Sequence, residues 1–340
     1  MNPNEYFTEP EHIVDKLDKL VKEPNPGFLF DECRLGDSNI IRVDEDHAPD
    51  PEKHDVWFLG DIHGDLLGMT AALKYAETES SRNGRVPWFI FLGDFTDRGP
   101  FDYLVLLKLY AMAVDDKQRS RMCVIVGNHD ECLEHSEERQ EFFATVEPAE
   151  FTDWLNNKKD DDLWQRLGHA TISFFKKMPR AVFLPDGLVI AHAGVPHTDR
   201  HDDFKEPGFL GEDVESLQDF VWSRAHERAP KRRPNRTSKG HSFGRKDFTA
   251  FCNRATEVLG QPVKRMIRGH DHFIEGFRYY EKYEQNQMLT LNTRCIQPDM
   301  IDGPYSDKLC VALWQKDQIP QVHILEAPKS RLQETVSSGV

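Results

Sequence analysis

The chain has 340 residues, 39% of them hydrophobic and 30% charged. That is enough for the core of one large α/β domain or two small ones. A formal net charge of −15 argues against a general nucleic-acid binder, which would carry a basic footprint. The six cysteines form no C-x-x-C pair and no apolar stretch is long enough to span a membrane, while Met1 to Glu5 lacks a basic-then-apolar leader pattern; a reduced, cytoplasmic setting is therefore expected.

Residues 9–22 place Ile13, Val14, Leu17, Leu20 and Val21 on one face at helical spacing, which predicts an amphipathic helix packed on the domain surface. This helix and the Pro-containing, acidic stretch from Asp44 to His54 make up an N-terminal extension over residues 1–54. A catalytic domain is expected over 55–328, followed by a polar tail over 329–340. Val56 to Leu59 reads as a buried strand, Leu66 to Glu79 as a helix, and Trp88 to Leu92 as the second strand. Residues 101–114 read as a helix and Met122 to Val126 as the third strand. Strand–helix–strand–helix–strand order implies parallel pairing with right-handed crossovers.

From Ser136 to Lys177 the pattern reads as helical and rich in charge. Ala181 to Leu184 and Leu188 to Ala191, joined through Asp186-Gly187, predict a hairpin. Val263 to Ile267, Met288 to Leu291, Leu309 to Trp314 and Gln321 to Leu325 supply further strand-like runs. Cys123 and Cys310 sit inside apolar runs and are expected as core thiols.

Five of these strands end in groups that can bind metal. Val56 to Leu59 runs into Gly60-Asp61-Ile62-His63-Gly64, the second strand into Gly93-Asp94, and the third into Gly127-Asn128-His129-Asp130. The hairpin delivers His192-Ala193-Gly194, and the run ending at Ile267 delivers Gly269-His270-Asp271-His272. In open α/β sheets the strand ends are where ligands bind. Successive carboxylate and amide ligands are roughly thirty residues apart, about one βαβ unit. The set Asp61, His63, Asp94, Asn128, His192 and His270 is carboxylate, imidazole and amide with no thiolate, which suits Mn, Fe or Zn. A carboxylate shared by two ions gives a centre that polarises a phosphoryl oxygen and supplies a deprotonated water as nucleophile.

The motifs Gly60 to Gly64, Gly93 to Gly99 (Gly-Asp-Phe-Thr-Asp-Arg-Gly) and Gly127 to Asp130, with the later His192 and His270, resemble the phosphoprotein phosphatases of the calcineurin-like metallophosphoesterase superfamily. Asp at 130, where the eukaryotic enzymes carry Glu, is also typical of bacterial relatives, while His192 is followed by Ala-Gly where the family carries Gly-Gly. The resemblance implies an α/β fold with a central β-sandwich flanked by helices. It implies two divalent ions, Mn²⁺ first and Fe or Zn as alternatives. Asp61, His63 and Asp94 would hold one ion, with Asp94 bridging, and Asn128, His192 and His270 the other.

By the same resemblance His129, paired to Asp97, would protonate the leaving group, while Arg98, Arg224 and Asn128 would bind the substrate phosphate. Arg236 and Lys239 are weaker alternatives to Arg224, and His272 is a further candidate ligand. The implied activity is a protein Ser/Thr phosphatase working by direct attack of a metal-activated hydroxide on a phosphorylated protein or peptide. A protein-tyrosine or dual-specificity phosphatase and a diadenosine tetraphosphate hydrolase are the alternatives on the same fold. Neither nucleic acid nor membrane is expected as a partner, and no regulatory subunit is implied. The basic run Lys231 to Arg236 is read as a solvated loop, or as an electropositive rim that attracts phosphorylated substrate.

Overall fold

The computed structural model describes residues 9–36, 39–197, 214–235, 239–295 and 308–328. The chain begins with helix α1 (Pro10–Leu20), strand β1 (Ile40–Arg42), strand β2 (His54–Leu59) and helix α2 (Leu66–Arg82). Strand β3 (Val86–Phe91), helix α3 (Asp102–Ala113), the one-turn α4 (Asp116–Arg119) and strand β4 (Met122–Val124) follow. Next come the one-turn α5 (Asn128–Glu131), strands β5 (Glu134–Ser136) and β6 (Glu141–Phe143), and helices α6 (Glu150–Asn157) and α7 (Asp162–Lys177). The hairpin is β7 (Ala181–Phe183) and β8 (Leu188–Ala191). The remainder comprises α8 (Val214–Trp222), β9 (Arg224–Ala225), β10 (Arg233–Pro234), β11 (His241–Phe243), α9 (Arg245–Leu259) and β12 (Arg265–Arg268). Strands β13 (Phe277–Tyr279), β14 (Met288–Leu291), β15 (Leu309–Leu313) and β16 (Gln321–Leu325) complete it.

Two sheets face each other. One has the order β16-β15-β2-β3-β4, the other β1-β7-β8-β12-β14-β13. Within the first, β2, β3 and β4 run parallel, as the crossover reading predicts; within the second, β8, β12 and β14 run parallel. Because side chains alternate along a strand, each sheet has an inner and an outer apolar face. Val56, Phe58, Ile90 and Leu92 meet Val182, Ile190, Ile267 and Leu289 in the layer between the sheets, and Cys123 and Cys310 are buried there as core thiols. Trp57, Leu59, Phe89 and Phe91 turn outward under α1, α2, α3 and α7. Phe183, Val189 and Met266 turn outward under α8 and α9, against Phe220, Phe248 and Phe251. The result is the expected sandwich flanked by helices on both sides.

The described elements before residue 54 pack on this body. On α1, Val14, Leu17 and Leu20 are buried in the same cluster as α3 and α7, and Arg166 of α7 reaches Asp15 at 2.6 Å and Asp18 at 2.8 Å. Strand β1 pairs with β7 in the six-stranded sheet. The tail over 329–340 lies outside the described residues. Among the described residues, no helix is long and apolar enough to cross a membrane.

The stretch from Ser136 to Lys177 differs from the helical reading. It opens with the antiparallel hairpin β5–β6, and its helices begin only at Glu150. The run Ser136 to Gln140, polar and helix-compatible, instead forms the hairpin's turn, with Gln140 at φ +53°. The third strand also ends two residues early, at Val124, although Ile125 still donates to Phe91 O at 2.8 Å.

The two sheets approach each other closely at the end of β2. A Cβ built on Gly60 would lie 2.0 Å from Leu291 O at the end of β14, so only glycine lets the two backbones meet. Gly60→Ala should lower stability by at least about 1–3 kcal/mol, the usual cost of overpacking. Chemical denaturation at equilibrium measures this, and an unchanged midpoint would contradict the close approach.

Candidate metal centre and active site

The ligand turns lie at the C-terminal ends of β2, β3, β4, β8 and β12, and the structure brings all six sequence-predicted ligands together. Asp61 and His192 are fully buried, as is His63; Asp94, Asn128 and His270 are at most 6% exposed. Three overlapping groups have ligand atoms within 4.8 Å of one another: Asp61, His63 and His272; His63, Asp94 and His129; Asp94, His192 and His270. Asp94 is the link, since its Oδ2 lies 3.5 Å from His63 Nε2 and 3.4 Å from His192 Nε2.

Hydrogen bonds to backbone carbonyls fix the imidazole tautomers. His63 Nδ1 donates to Thr96 O at 2.7 Å and His192 Nδ1 to Leu92 O at 2.7 Å, which aims each Nε2 lone pair into the cluster. Burial, reinforced by the charge of Arg98, holds His63 well below the usual imidazole range, so it is neutral. Burial and the charge of Arg224 do the same for His270. The Nε2 atoms of both His63 and His270 are buried without a hydrogen-bond partner.

His192 Nε2 faces two acceptors, Asn128 Oδ1 at 3.1 Å and Asp94 Oδ2. With Nδ1 already donating, that contact needs either a second proton or a cation between the groups. Burial would lower the His192 pKa, but Asp94 overrides it and raises it to about 9. Burial likewise opposes ionisation of Asp94, yet His192 and His129 hold its carboxyl well below the usual range. The electrostatics therefore favour positive charge at this point.

The second and third motifs also build an acid–base chain. His129 Nδ1 lies 2.7 Å from Asp97 Oδ2, and Asp97 Oδ1 accepts from the backbone N–H of Phe151 at 2.9 Å. Arg98 spans His129 Nε2 at 3.2 Å and His272 Nδ1 at 3.0 Å. Arg98 is itself held by its own N–H to Glu150 Oε2 (3.0 Å) and by Arg294 donating to its carbonyl (2.8 Å).

Arg224, at the start of β9, is bound by Asp271 Oδ1 at 2.5 Å, and the fully buried Arg268 reaches the other oxygen at 2.6 Å. Burial would raise the Asp271 carboxyl, but Arg268 and then Arg224 bring it below the usual range. Arg224 thus sits beside His270 on a built carboxylate mount. Lys239 is engaged elsewhere, donating to Thr145 Oγ1 at 3.2 Å with its ammonium 5.1 Å from the Trp222 ring centroid. Arg236 lies outside the described residues.

His272 is the largest addition to the six-ligand reading. Its Nε2 is 2.9 Å from Asp61 Oδ2 and it groups with Asp61 and His63. The Gly-His-x-His spacing is the sequence signal for it. Glu150 and Arg294, which fix Arg98, were not read from the sequence, because they reach the site from remote segments with no motif of their own. Asp271 stands within the fifth ligand turn, but the sequence reading gave it no role.

Local backbone strain concentrates here. Nine non-glycine residues among those described have positive φ, and five of them are His63, Asp94, Asp97, Arg98 and His270. Each such conformation costs about 1–3 kcal/mol and persists only where the surroundings over-determine it. Asp130 is one such constraint, accepting the N–H groups of Asp94 (2.8 Å), Phe95 (3.0 Å) and Gly127 (2.9 Å) and so joining the second and third ligand turns. Burial and the charge of Asp94 push its carboxyl up to about 7, against the pull of the Phe95 and Gly127 N–H donors.

Comparison with known proteins agrees with this geometry. Residues 54–273 match the family model described as calcineurin-like phosphoesterase. The serine/threonine-protein phosphatase BSL2 of Arabidopsis thaliana is 22% identical over 259 residues, covering 70% of this chain but 22% of that protein. The chain therefore spans about a fifth of that relative's length. A protein serine/threonine phosphatase structure from Saccharomyces cerevisiae superposes with a TM-score of 0.60 at 16% identity, covering 95% of this chain and 91% of that one. At that identity the superposition speaks for the fold.

Asp130→Asn replaces an acceptor with an amide whose N–H groups face backbone N–H groups. It should cost about 1–3 kcal/mol for the buried donors left unpaired and weaken divalent-metal binding through Asp94. Thermal melts and metal titration check both; unchanged affinity with unchanged stability would remove Asp130 from this role.

Proposed function

The chain belongs to the calcineurin-like phosphoesterase family, hydrolases that act on phosphoesters, and from that premise we propose that it is a metal-dependent phosphomonoesterase acting on phosphoserine and phosphothreonine in proteins. The family implies divalent metal ions, and the residues here fit them: the buried His63 Nε2, aimed at Asp94, lacks any hydrogen-bond partner, and the donor set is oxygen and nitrogen with no thiol. In this reading Asp61, His63 and Asp94, joined by His272, hold one ion; Asn128, His192 and His270 hold the other, with Asp94 shared. Manganese suits such a set. When bound, the pair polarises a phosphoryl oxygen and makes water a competent nucleophile near neutral pH.

The observation that carries the reading is the chain Asp97–His129–Arg98. A serine or threonine alkoxide is a poor leaving group and needs a proton as the P–O bond breaks, whereas a phosphoanhydride needs this far less. Asp97 takes the Nδ1–H of His129 at 2.7 Å, which orients the ring so that Nε2 is the atom that delivers the proton. In the free protein Arg98 donates to that Nε2. A substrate phosphate draws the guanidinium onto its own oxygens in a forked contact, leaving Nε2 free to carry a proton. Arg224, mounted on Asp271, takes a second side of the phosphate, and the Asn128 amide adds a contact to it. The phosphatase names of the Arabidopsis and yeast proteins support a phosphoprotein substrate.

A panel of phosphoserine, phosphothreonine and phosphotyrosine peptides plus diadenosine tetraphosphate, assayed with Mn²⁺ and with chelator, tests this reading. The highest kcat/KM should fall on the serine and threonine peptides and vanish with chelator. A preference for the dinucleotide or for phosphotyrosine would overturn the substrate assignment. Asp94→Asn should abolish turnover and weaken metal binding together. His129→Asn should keep its metal yet lower kcat on a phosphoserine peptide by about 10²–10⁴-fold, the usual worth of a general acid. Full kcat in that variant would remove His129 from the acid role.

A further inference from the structure

A second group of metal-capable side chains lies well away from the catalytic edge. Strand β1 runs parallel to β7, and β7 runs antiparallel to β8. Residues after β1 therefore leave the sheet at the edge opposite His192, and Val43 still bonds to Phe183 O there at 2.9 Å. Just beyond it are Asp44 and His47, which meet Cys33 from the 3₁₀ turn Asp31–Cys33; one ligand atom from each of the three lies within 4.8 Å of the others.

We propose that Cys33, Asp44 and His47 form a separate site for a zinc-type divalent cation. His47 is held between two carboxylates, Nδ1 at 2.7 Å from Asp44 Oδ1 and Nε2 at 3.5 Å from Glu32 Oε2. Cys33 is buried while Asp44 and His47 are exposed, so a cation has an open approach and a sheltered sulfur ligand.

All six cysteines are free and buried, but among the described residues only Cys33 falls in a group with an imidazole and a carboxylate. Thiolate, imidazole and carboxylate together select borderline ions such as zinc or cobalt, whereas the catalytic donors include no sulfur. Because the ligands come from both sides of β1, the edge strand of the six-stranded sheet, the ion would clip that edge to the preceding turn. No step of phosphate cleavage involves it.

Cobalt distinguishes the two centres, because a thiolate-to-cobalt charge-transfer band in the near ultraviolet arises only where sulfur ligates the ion. Co²⁺ added to the full-length, manganese-loaded protein should produce this band at saturation. The band should be lost in Cys33→Ser and in His47→Ala, and kept in Asp94→Asn. Zn²⁺ should raise the Tm of the wild type and leave that of His47→Ala unmoved; His47 is exposed, so that variant will fold. Absence of the band, or its persistence in either variant, overturns the proposal.

Discussion

His63 Nε2 is shut away from water with nothing to bond, beside the equally buried Asp94 carboxylate, while His192 Nε2 and His270 Nδ1 both crowd the buried Asn128 Oδ1, at 3.1 and 2.7 Å. Leaving a polar atom without a partner costs about 1–3 kcal/mol. A neutral imidazole aimed at a carboxylate gains little by itself. A pair of divalent cations sharing Asp94 would satisfy these groups together, which is why residues that make poor sense as a hydrogen-bond network make good sense as a coordination shell. The rest of the fold can be read as what is needed to hold these acceptors together in the absence of that charge.

The sandwich does this by converging strand ends. Parallel neighbours in each sheet put successive turns side by side, and the closeness of those turns depends on glycine. A Cβ on Gly93, at φ +96°, would lie 2.4 Å from Gly127 N, so the second and third motifs touch backbone to backbone. Asp130 then ties them through three N–H groups, and Thr293 accepts the N–H of Gly60 at 2.8 Å while donating to Cys310 O at 2.8 Å. The glycines and Asp130 of the motifs are thus packing requirements, and the ligands beside them inherit their positions. Positive φ at His63, Asp94 and His270 is the strain that this convergence imposes.

Most of this was legible because the strands are long, apolar and end in recognisable chemistry. Val56 to Leu59 and Trp88 to Leu92 could hardly be read otherwise, and each points straight at its ligand. Elements of two or three residues gave no such signal. Ile40–Arg42 is too short for periodicity and becomes a strand only by pairing with Ala181–Phe183. The hairpin of Glu134–Ser136 with Glu141–Phe143 is hidden in a charged run that suits a helix equally well. At the site, ligands inside a motif were readable, including His272, while the mounting role of Asp271 was not. Nor were Glu150 and Arg294, because their contribution depends on tertiary proximity to Arg98 and not on any spacing along the chain.

The claim beneath everything else is that two cations share Asp94. Anomalous scattering from crystals of the manganese-loaded protein tests it most directly. Two strong peaks should appear at the strand ends, one among Asp61, His63 and His272, the other among Asn128, His192 and His270, with Asp94 reaching both. A map with no peak among these residues, or with manganese seated elsewhere on the molecule, would contradict the account.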